Sequence, residues 1–252
     1  MGILLVFVRT VAVFIAYLGF ALVGVVLRWS NFISEKRRHA LLAGFTRHWA
    51  RCSSFIFNIN IRVVGDMKIS PGSLIVGNHI GTPDIFVLGA CFPGFFVSKA
   101  EIAEWPLFSF LARLGEPIFA DRNKRYQVKE IIAQMRERLE EGCSVILFPE
   151  GRATDGRGML DFKSSTFEAA VRTGSVVVPI TIIYHDGNQP SIACWNDVTF
   201  FQHILRLLKN PRLEVTVFVH DPIKGETDRR VLAEKSWRII HETHAKEVRS
   251  GD

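Results

Sequence analysis

Cysteine is scarce and unpatterned in this sequence. Only four are present, Cys52, Cys91, Cys143 and Cys194, with no C-x-x-C pair and no histidine cluster around them. That excludes a disulfide scaffold and a structural zinc site, and the thiols read as free core residues in a reducing compartment. Internal repeats and low-complexity tracts are missing, and 19 Gly and 10 Pro in 252 residues are no excess, which excludes a repeat array and global disorder. There is no G-x-S-x-G elbow to support a serine-nucleophile hydrolase of that type, and no nucleic-acid-binding motif. Acidic residues are nearly absent from residues 1–60. Glu35 stands alone against Arg9, Arg28, Lys36, Arg37, Arg38, Arg47 and Arg51. This excess of six accounts for the whole formal net charge of +6, so the remainder of the chain is neutral. Basic charge beside an apolar segment points to anionic lipid headgroups, at about 1 kcal/mol per residue near a membrane surface.

What is present begins with that apolar segment. Thr10 to Leu27 carries no charge and is long enough to span a bilayer core. A signal peptide fits poorly, because the preceding MGILLVF has no basic residue and no small-x-small cleavage site follows. A buried soluble helix would have to be apolar on every side. The basic residues after Leu27 place the rest of the chain on the cytoplasmic side of an inner membrane. Glu35 to Phe57 mixes Arg and His with Leu, Phe and Trp, as an amphipathic interfacial helix does. Either a true span followed by a surface helix or a helical pair dipping into one leaflet satisfies this pattern. Residues 1–57 form a membrane-anchoring unit on this reading, and 58–252 an α/β domain.

Beyond residue 57 the period changes. Asn58 to Val64 alternates as a half-buried strand. Residues 73–78 and 94–98, EPIFA at 116–120, 144–148 and the run SVVVPITII are further strands, and Leu213 to Val219 alternates again. Thr82 and Pro83 read as the N-cap and first residue of a helix. Glu104–Leu114, Arg125–Glu141 and Thr227–Val248 read as longer helices. Ser165 and Glu168 make an S-x-x-E capping box for another helix, ending near Gly174. Strands alternating with helices predict a single mixed or parallel sheet flanked by helices.

Four motifs leave strand ends, where α/β sheets place their ligands. In Asn78-His79-Ile80-Gly81-Thr82-Pro83-Asp84, a turn separates the histidine from an aspartate in the first helical turn. The carboxylate can then reach one imidazole nitrogen while the other faces a cleft, the base-and-orienter arrangement of general-base catalysis. Phe148-Pro149-Glu150-Gly151-Arg152 is a sharp loop with Glu150 at its apex. Gly115-Glu116-Pro117-Ile118-Phe119-Ala120-Asp121-Arg122 delivers an arginine whose planar fork suits a phosphate. Val177-Val178-Pro179-Ile180 reads on its own as a core strand with a bulge at the proline. Each motif alone also has a plain structural reading, such as a solvated turn or a surface ion pair.

In this order, over Asn60 to His220, the motifs resemble the four sequence blocks of the glycerolipid acyltransferase family, which includes the 1-acyl-glycerol-3-phosphate acyltransferases. The resemblance implies that His79 deprotonates the acceptor hydroxyl and Asp84 orients His79. It implies that Arg122 contacts the acceptor phosphate, that Glu150 and Gly151 position the acceptor, and that Pro179 shapes the acyl-donor side. Asn78, Lys99 and Arg152 complete the implied binding set. No metal or cofactor is implied. The donor would be acyl-CoA or acyl-carrier protein, and the acceptor a lyso-lipid, 1-acyl-glycerol-3-phosphate in the first instance. Two departures stand out. The common FPEGTR reads FPEGRATDG here, so an arginine comes one place early. The segment DFKSSTFEAA, with Trp195, Asn196, Asp197, Phe200 and His203, resembles a bacterial subgroup that includes lyso-ornithine lipid acyltransferases, an alternative acceptor class. A non-catalytic lipid-binding protein on the same fold is opposed by the intact His79, Asp84 and Glu150.

Overall fold

The structure, a computed structural model, describes residues 2–30, 32–99, 114–120, 127–187, 190–195 and 198–251. Two helices open the chain, α1 (Gly2–Arg28) and α2 (Glu35–Ile56). Then follow β1 (Ile59–Val64), β2 (Leu74–Gly77), α3 (Pro83–Cys91), β3 (Gly94–Lys99), β4 (Ile118–Ala120), α4 (Gln127–Glu140) and β5 (Ser144–Leu147). A short 3₁₀ turn (Ser164–Phe167) leads into α5 (Glu168–Thr173), then β6 (Val177–Tyr184), α6 (Phe200–Lys209), β7 (Leu213–Val219) and α7 (Arg229–Gly251).

The seven strands form one sheet in the order β1-β7-β6-β2-β5-β3-β4. All neighbouring pairs are parallel except β6 with β7, so the sheet is mixed. Alternate residues feed two cores. Ile75, Val178, Ile180 and Ile182 pack on one face with Phe86 and Leu88 of α3 and Leu207 of α6. Leu74, Val76 and Val145 pack on the other with Met135 of α4, Ala169 of α5 and Ile240 of α7. Each fully buried side chain of this size is worth roughly 1.5–3 kcal/mol. Burial on both faces explains why the central strands read as continuous apolar runs.

α1 is longer than the uncharged run, because Arg9 does not end it. The Arg9 side chain is buried and donates to the backbone oxygens of Leu208, Asn210 and Pro211, the open carbonyl end of α6. Farther along, the Tyr17 hydroxyl lies 3.0 Å from that of Ser53, Phe20 meets Phe45 edge-on, and Arg28 reaches Glu116 at 3.4 Å. These contacts run nearly the length of the helix, which therefore lies along the body. Its other side exposes Ile3, Leu4, Phe7, Phe14, Ile15, Leu22 and Val26. An apolar face of that extent requires a non-aqueous neighbour, and the protein is membrane-associated through it.

The basic residues of this region are divided between two tasks, where the sequence assigned them all to lipid. Besides Arg9, Arg47 and Arg51 donate to the Ala90 carbonyl in the last turn of α3, and Arg38 faces Glu35 and Glu116. Lys36 and Arg37 remain exposed, close in sequence to the exposed Trp29 and Phe32.

Two local expectations are corrected. Ser165 makes no cap bond, because the chain enters α5 through the 3₁₀ turn and Glu168 turns outward to Arg172 and Arg229. The capping box is formed by Thr199 and Gln202, at the start of α6. Thr82 makes no side-chain cap either, and Asp84 takes the free backbone donors of that turn. The expected 104–114 helix lies outside the described residues, apart from Leu114.

Candidate active site

β2 and β5 lie side by side and parallel, with Val76 opposite Leu147. The histidine motif and the Phe148-Pro149-Glu150 motif therefore emerge together at the carboxyl edge of the sheet, although 71 residues separate His79 from Glu150. The His79 Nδ1 lies 2.7 Å from the Asp84 Oδ2, and that oxygen also accepts the backbone N–H of Ile80 (2.6 Å) and Gly81 (2.9 Å). Asp84 is fully buried, while His79 keeps 22% of its side chain exposed. With Nδ1 committed as donor to the carboxylate, Nε2 is the nitrogen available to a substrate. The ring of Phe148 stacks on the imidazole, with centroids 4.3 Å apart and planes 13° from parallel. This contact covers one face of the ring, and Asp84 holds its Nδ1 edge. The sequence places Phe148 at a strand end and at the head of the Pro149-Glu150 loop, with no sign of this stacking role.

His79 opens into a cavity of about 1090 Å³. One wall comes from the membrane-associated helices, through Tyr17 and Phe20 of α1 and Trp49 of α2, and further apolar wall comes from Phe96, Phe148 and Trp195. The polar wall is the loop from Gly151 to Leu160. Gly151 takes φ +80°, a left-handed conformation that a larger residue adopts only with strain, and a β-carbon there would have to displace the end of the Lys163 side chain. The loop is braced from behind by α7, where the Trp237 Nε1 donates to the Leu160 carbonyl at 3.1 Å.

The expected binding residues divide into three groups. Gly151 and Arg152 line the cavity, and Arg152 is exposed there. Asn78, Glu150 and Pro179 do not line it; they build it. The buried Asn78 amide exchanges two hydrogen bonds with the backbone of Ile182, at 2.8 and 3.0 Å, splinting β2 to β6. The buried Glu150 accepts the N–H of His79 on one oxygen and that of Leu160 on the other, both at 2.8 Å. It joins the histidine turn to the far end of the polar loop and, being buried, does not face the cavity. Pro179 lies inside an unbroken β6 rather than in a bulge. Its carbonyl accepts from the His220 N–H, on the side where the chain of β7 runs past. Lys99 closes β3, its backbone register with Ala120 being all that is described, and Arg122 lies outside the described residues.

Burial pushes the Glu150 carboxyl up to about 7, against the pull of the two N–H donors and of His79 toward the ionised form. A carboxyl raised in the folded state binds protons there that the unfolded chain has already released. Its contribution to stability therefore falls as pH rises from about 4.5 to about 7, then levels off. Wild type should lose up to about 3 kcal/mol relative to Glu150→Gln across that window. Paired unfolding curves from pH 4.5 to 8 check this, and a gap constant with pH would contradict it. The same variant leaves an N–H of His79 or Leu160 facing an amide NH₂, so its kcat should drop about 10- to 100-fold.

Paired motifs at the carboxyl edge of a seven-stranded mixed sheet, with an aspartate-held histidine over an apolar cavity, define the class to which the chain belongs. The Acyltransferase family pattern matches residues 60–183. A lyso-ornithine lipid O-acyltransferase of Rhizobium meliloti (strain 1021) is 33% identical over 210 residues, 77% of this chain and 71% of that protein. A 1-acyl-sn-glycerol-3-phosphate acyltransferase of Neisseria gonorrhoeae is 31% identical over 169 residues, 65% of this chain and 66% of its own length. The crystal structure of the 1-acyl-sn-glycerophosphate (LPA) acyltransferase of Thermotoga maritima matches with a TM-score of 0.65 over 94% of this chain and 97% of that one. At 18% identity that likeness is one of fold. The chain belongs to the Acyltransferase family and is an acyltransferase of lipid biosynthesis.

Proposed function

We propose that the protein transfers a fatty acyl group from acyl-CoA or acyl-carrier protein to the free hydroxyl of a lyso-lipid, with 1-acyl-glycerol-3-phosphate as the acceptor and phosphatidic acid as the product. The acceptor hydroxyl sits at the His79 Nε2, which takes its proton as the oxygen attacks the thioester carbonyl. The tetrahedral intermediate collapses, the C–S bond breaks, and the proton passes from His79 to the departing thiolate. Asp84 holds the imidazole while it is charged. The reaction calls for no metal or cofactor beyond the thioester donor.

The observation that carries the reading is the joining of the oriented histidine to an apolar cavity walled by the membrane-associated helices. A lyso-lipid held by its own chain in the bilayer can reach this cavity without leaving the membrane. α1 and α2 then lie as a pair in the cytoplasmic leaflet, with Lys36 and Arg37 toward anionic headgroups, and the soluble donor approaches from the cytoplasm.

The phosphate reading rests on Arg152, which forms no ion pair among the described residues, and on Arg122, which occupies the motif's phosphate-contact position. A lyso-ornithine acceptor is the second reading. It is favoured by the names of relatives that align with 77% of this chain, and by Asp155, a half-exposed acid in the polar wall whose ion pair with Arg157 is long, at 3.9 Å. Arg122→Ala removes a charge-assisted contact worth about 1.5–3 kcal/mol, so kcat/KM on 1-acyl-glycerol-3-phosphate should fall about 10- to 150-fold. The loss on lyso-ornithine lipid should be smaller. Equal losses on both acceptors, or faster wild-type turnover of the aminolipid, would overturn the phosphate choice.

A further inference from the structure

Asp84 has two carboxylate oxygens, and the HxxxxD turn uses only one. Oδ2 takes the His79, Ile80 and Gly81 donors, all from within five residues. Oδ1 points the other way, into the protein, where a bare carboxylate oxygen would be costly. Its partner comes from 100 residues later. The hydroxyl of Tyr184, the last residue of β6, donates to Oδ1 at 2.7 Å. The Asn78 splint sets this reach, because it locks the end of β2 to Ile182, two residues before the tyrosine. The ring itself is held in a small cluster with Ile80, Ala193 and Cys194. The 190–195 segment is in turn tied down by Asp186, which accepts from Ser191 and the Ile192 N–H, and by the Trp195 N–H on the Ile80 carbonyl.

A carboxylate held on one oxygen alone can rock about its Cβ–Cγ bond and carry the imidazole with it. Held on both, its plane is fixed. We infer that Tyr184 is a positioning residue of the catalytic centre, completing a Tyr184–Asp84–His79 chain of hydrogen bonds that sets the imidazole plane. It touches no substrate and lies in none of the four motifs. Burial and the adjoining Asp84 and Asp186 push its phenol well above the ordinary tyrosine value, so it remains a donor at every working pH. The inference rests on acyl transfer through His79, as proposed above.

The test is a double-mutant cycle on full-length protein, with acyl-CoA or acyl-carrier-protein donor and lyso-lipid acceptor. Tyr184→Phe removes one oxygen and keeps the ring contacts, so the variant should fold, as thermal unfolding checks. Its kcat should fall about 10- to 100-fold with both KM values within about threefold of wild type. In an Asp84→Asn background the same change should cost less than about threefold, because the carboxylate it holds is already gone. A folded Tyr184→Phe enzyme with wild-type kcat would overturn the inference while leaving the function standing. So would equal losses in both backgrounds, which would mark Tyr184 as acting on stability or packing alone. Absence of transfer by the wild-type protein would overturn both.

Discussion

His79→Ala is expected to abolish acyl transfer while leaving the protein folded. The imidazole keeps 22% of its side chain exposed, it packs on Phe148, and its only side-chain hydrogen bond among the described residues is to Asp84. Removing it opens space toward an existing cavity rather than in the core. Among the described residues no second histidine lines the cavity. Glu150 is committed to two backbone donors, and His203, though fully buried, belongs to α6 and lies outside the cavity lining. Loss of a general base costs about 10²–10⁴ in rate, and more where the base works with an orienter. KM for the acyl donor should change little, since the base does not hold the donor. Rates by product mass and folding by circular dichroism check the prediction, and a folded variant within tenfold of wild-type turnover would contradict the mechanism.

Asp84→Asn should be nearly as damaging for a different reason. The carboxylate accepts four hydrogen bonds, three on Oδ2 and one on Oδ1. An asparagine has one acceptor oxygen and an NH₂ that cannot accept. If the oxygen takes the His79, Ile80 and Gly81 side, the amide faces the Tyr184 hydroxyl and His79 loses the full negative charge that steadies its protonated form. If the amide turns around, it opposes two backbone N–H groups and drives His79 to the wrong tautomer. A loss in kcat of about 10³–10⁴-fold is expected, with acceptor KM within several-fold. Steady-state kinetics at saturating donor measure it. A kcat loss below about tenfold would mean that Asp84 is a structural residue of the turn and not the orienter of the base.

The parts legible in the sequence were those whose partners are near in the chain or whose period is simple. His79 and Asp84 are joined across one turn, so their spacing is enough. The strands around them alternate or run apolar because the sheet is covered on both faces. What stayed hidden depends on which strands become neighbours. Asn78 and Glu150 read as binding residues in the sequence, but their long-range partners, Ile182 and His79, are fixed only once β2 lies between β5 and β6. Tyr184, one residue beyond the apolar run SVVVPITII, carries no sequence signal for the same reason. Arg9 was assigned to lipid headgroups because its true partners, the carbonyls at the end of α6, are about 200 residues away. The capping box misassigned to Ser165 shows that a local pattern loses when the chain must enter a helix through a tighter turn.

The central claim is the direct transfer of an acyl group from a thioester to a lyso-lipid hydroxyl through His79. The most direct measurement is a single-turnover reaction of purified full-length protein in lipid bilayers, with labelled acyl-CoA or acyl-carrier protein and a lyso-lipid acceptor. Lipid and protein are analysed separately, and His79→Ala is run alongside. Expected is label in the diacyl product only, equimolar release of thiol, no label on the protein with or without acceptor, and no product from the variant. Acyl label accumulating on the protein when the acceptor is left out, or no transfer by folded wild type to 1-acyl-glycerol-3-phosphate or lyso-ornithine lipid from either donor, would contradict it.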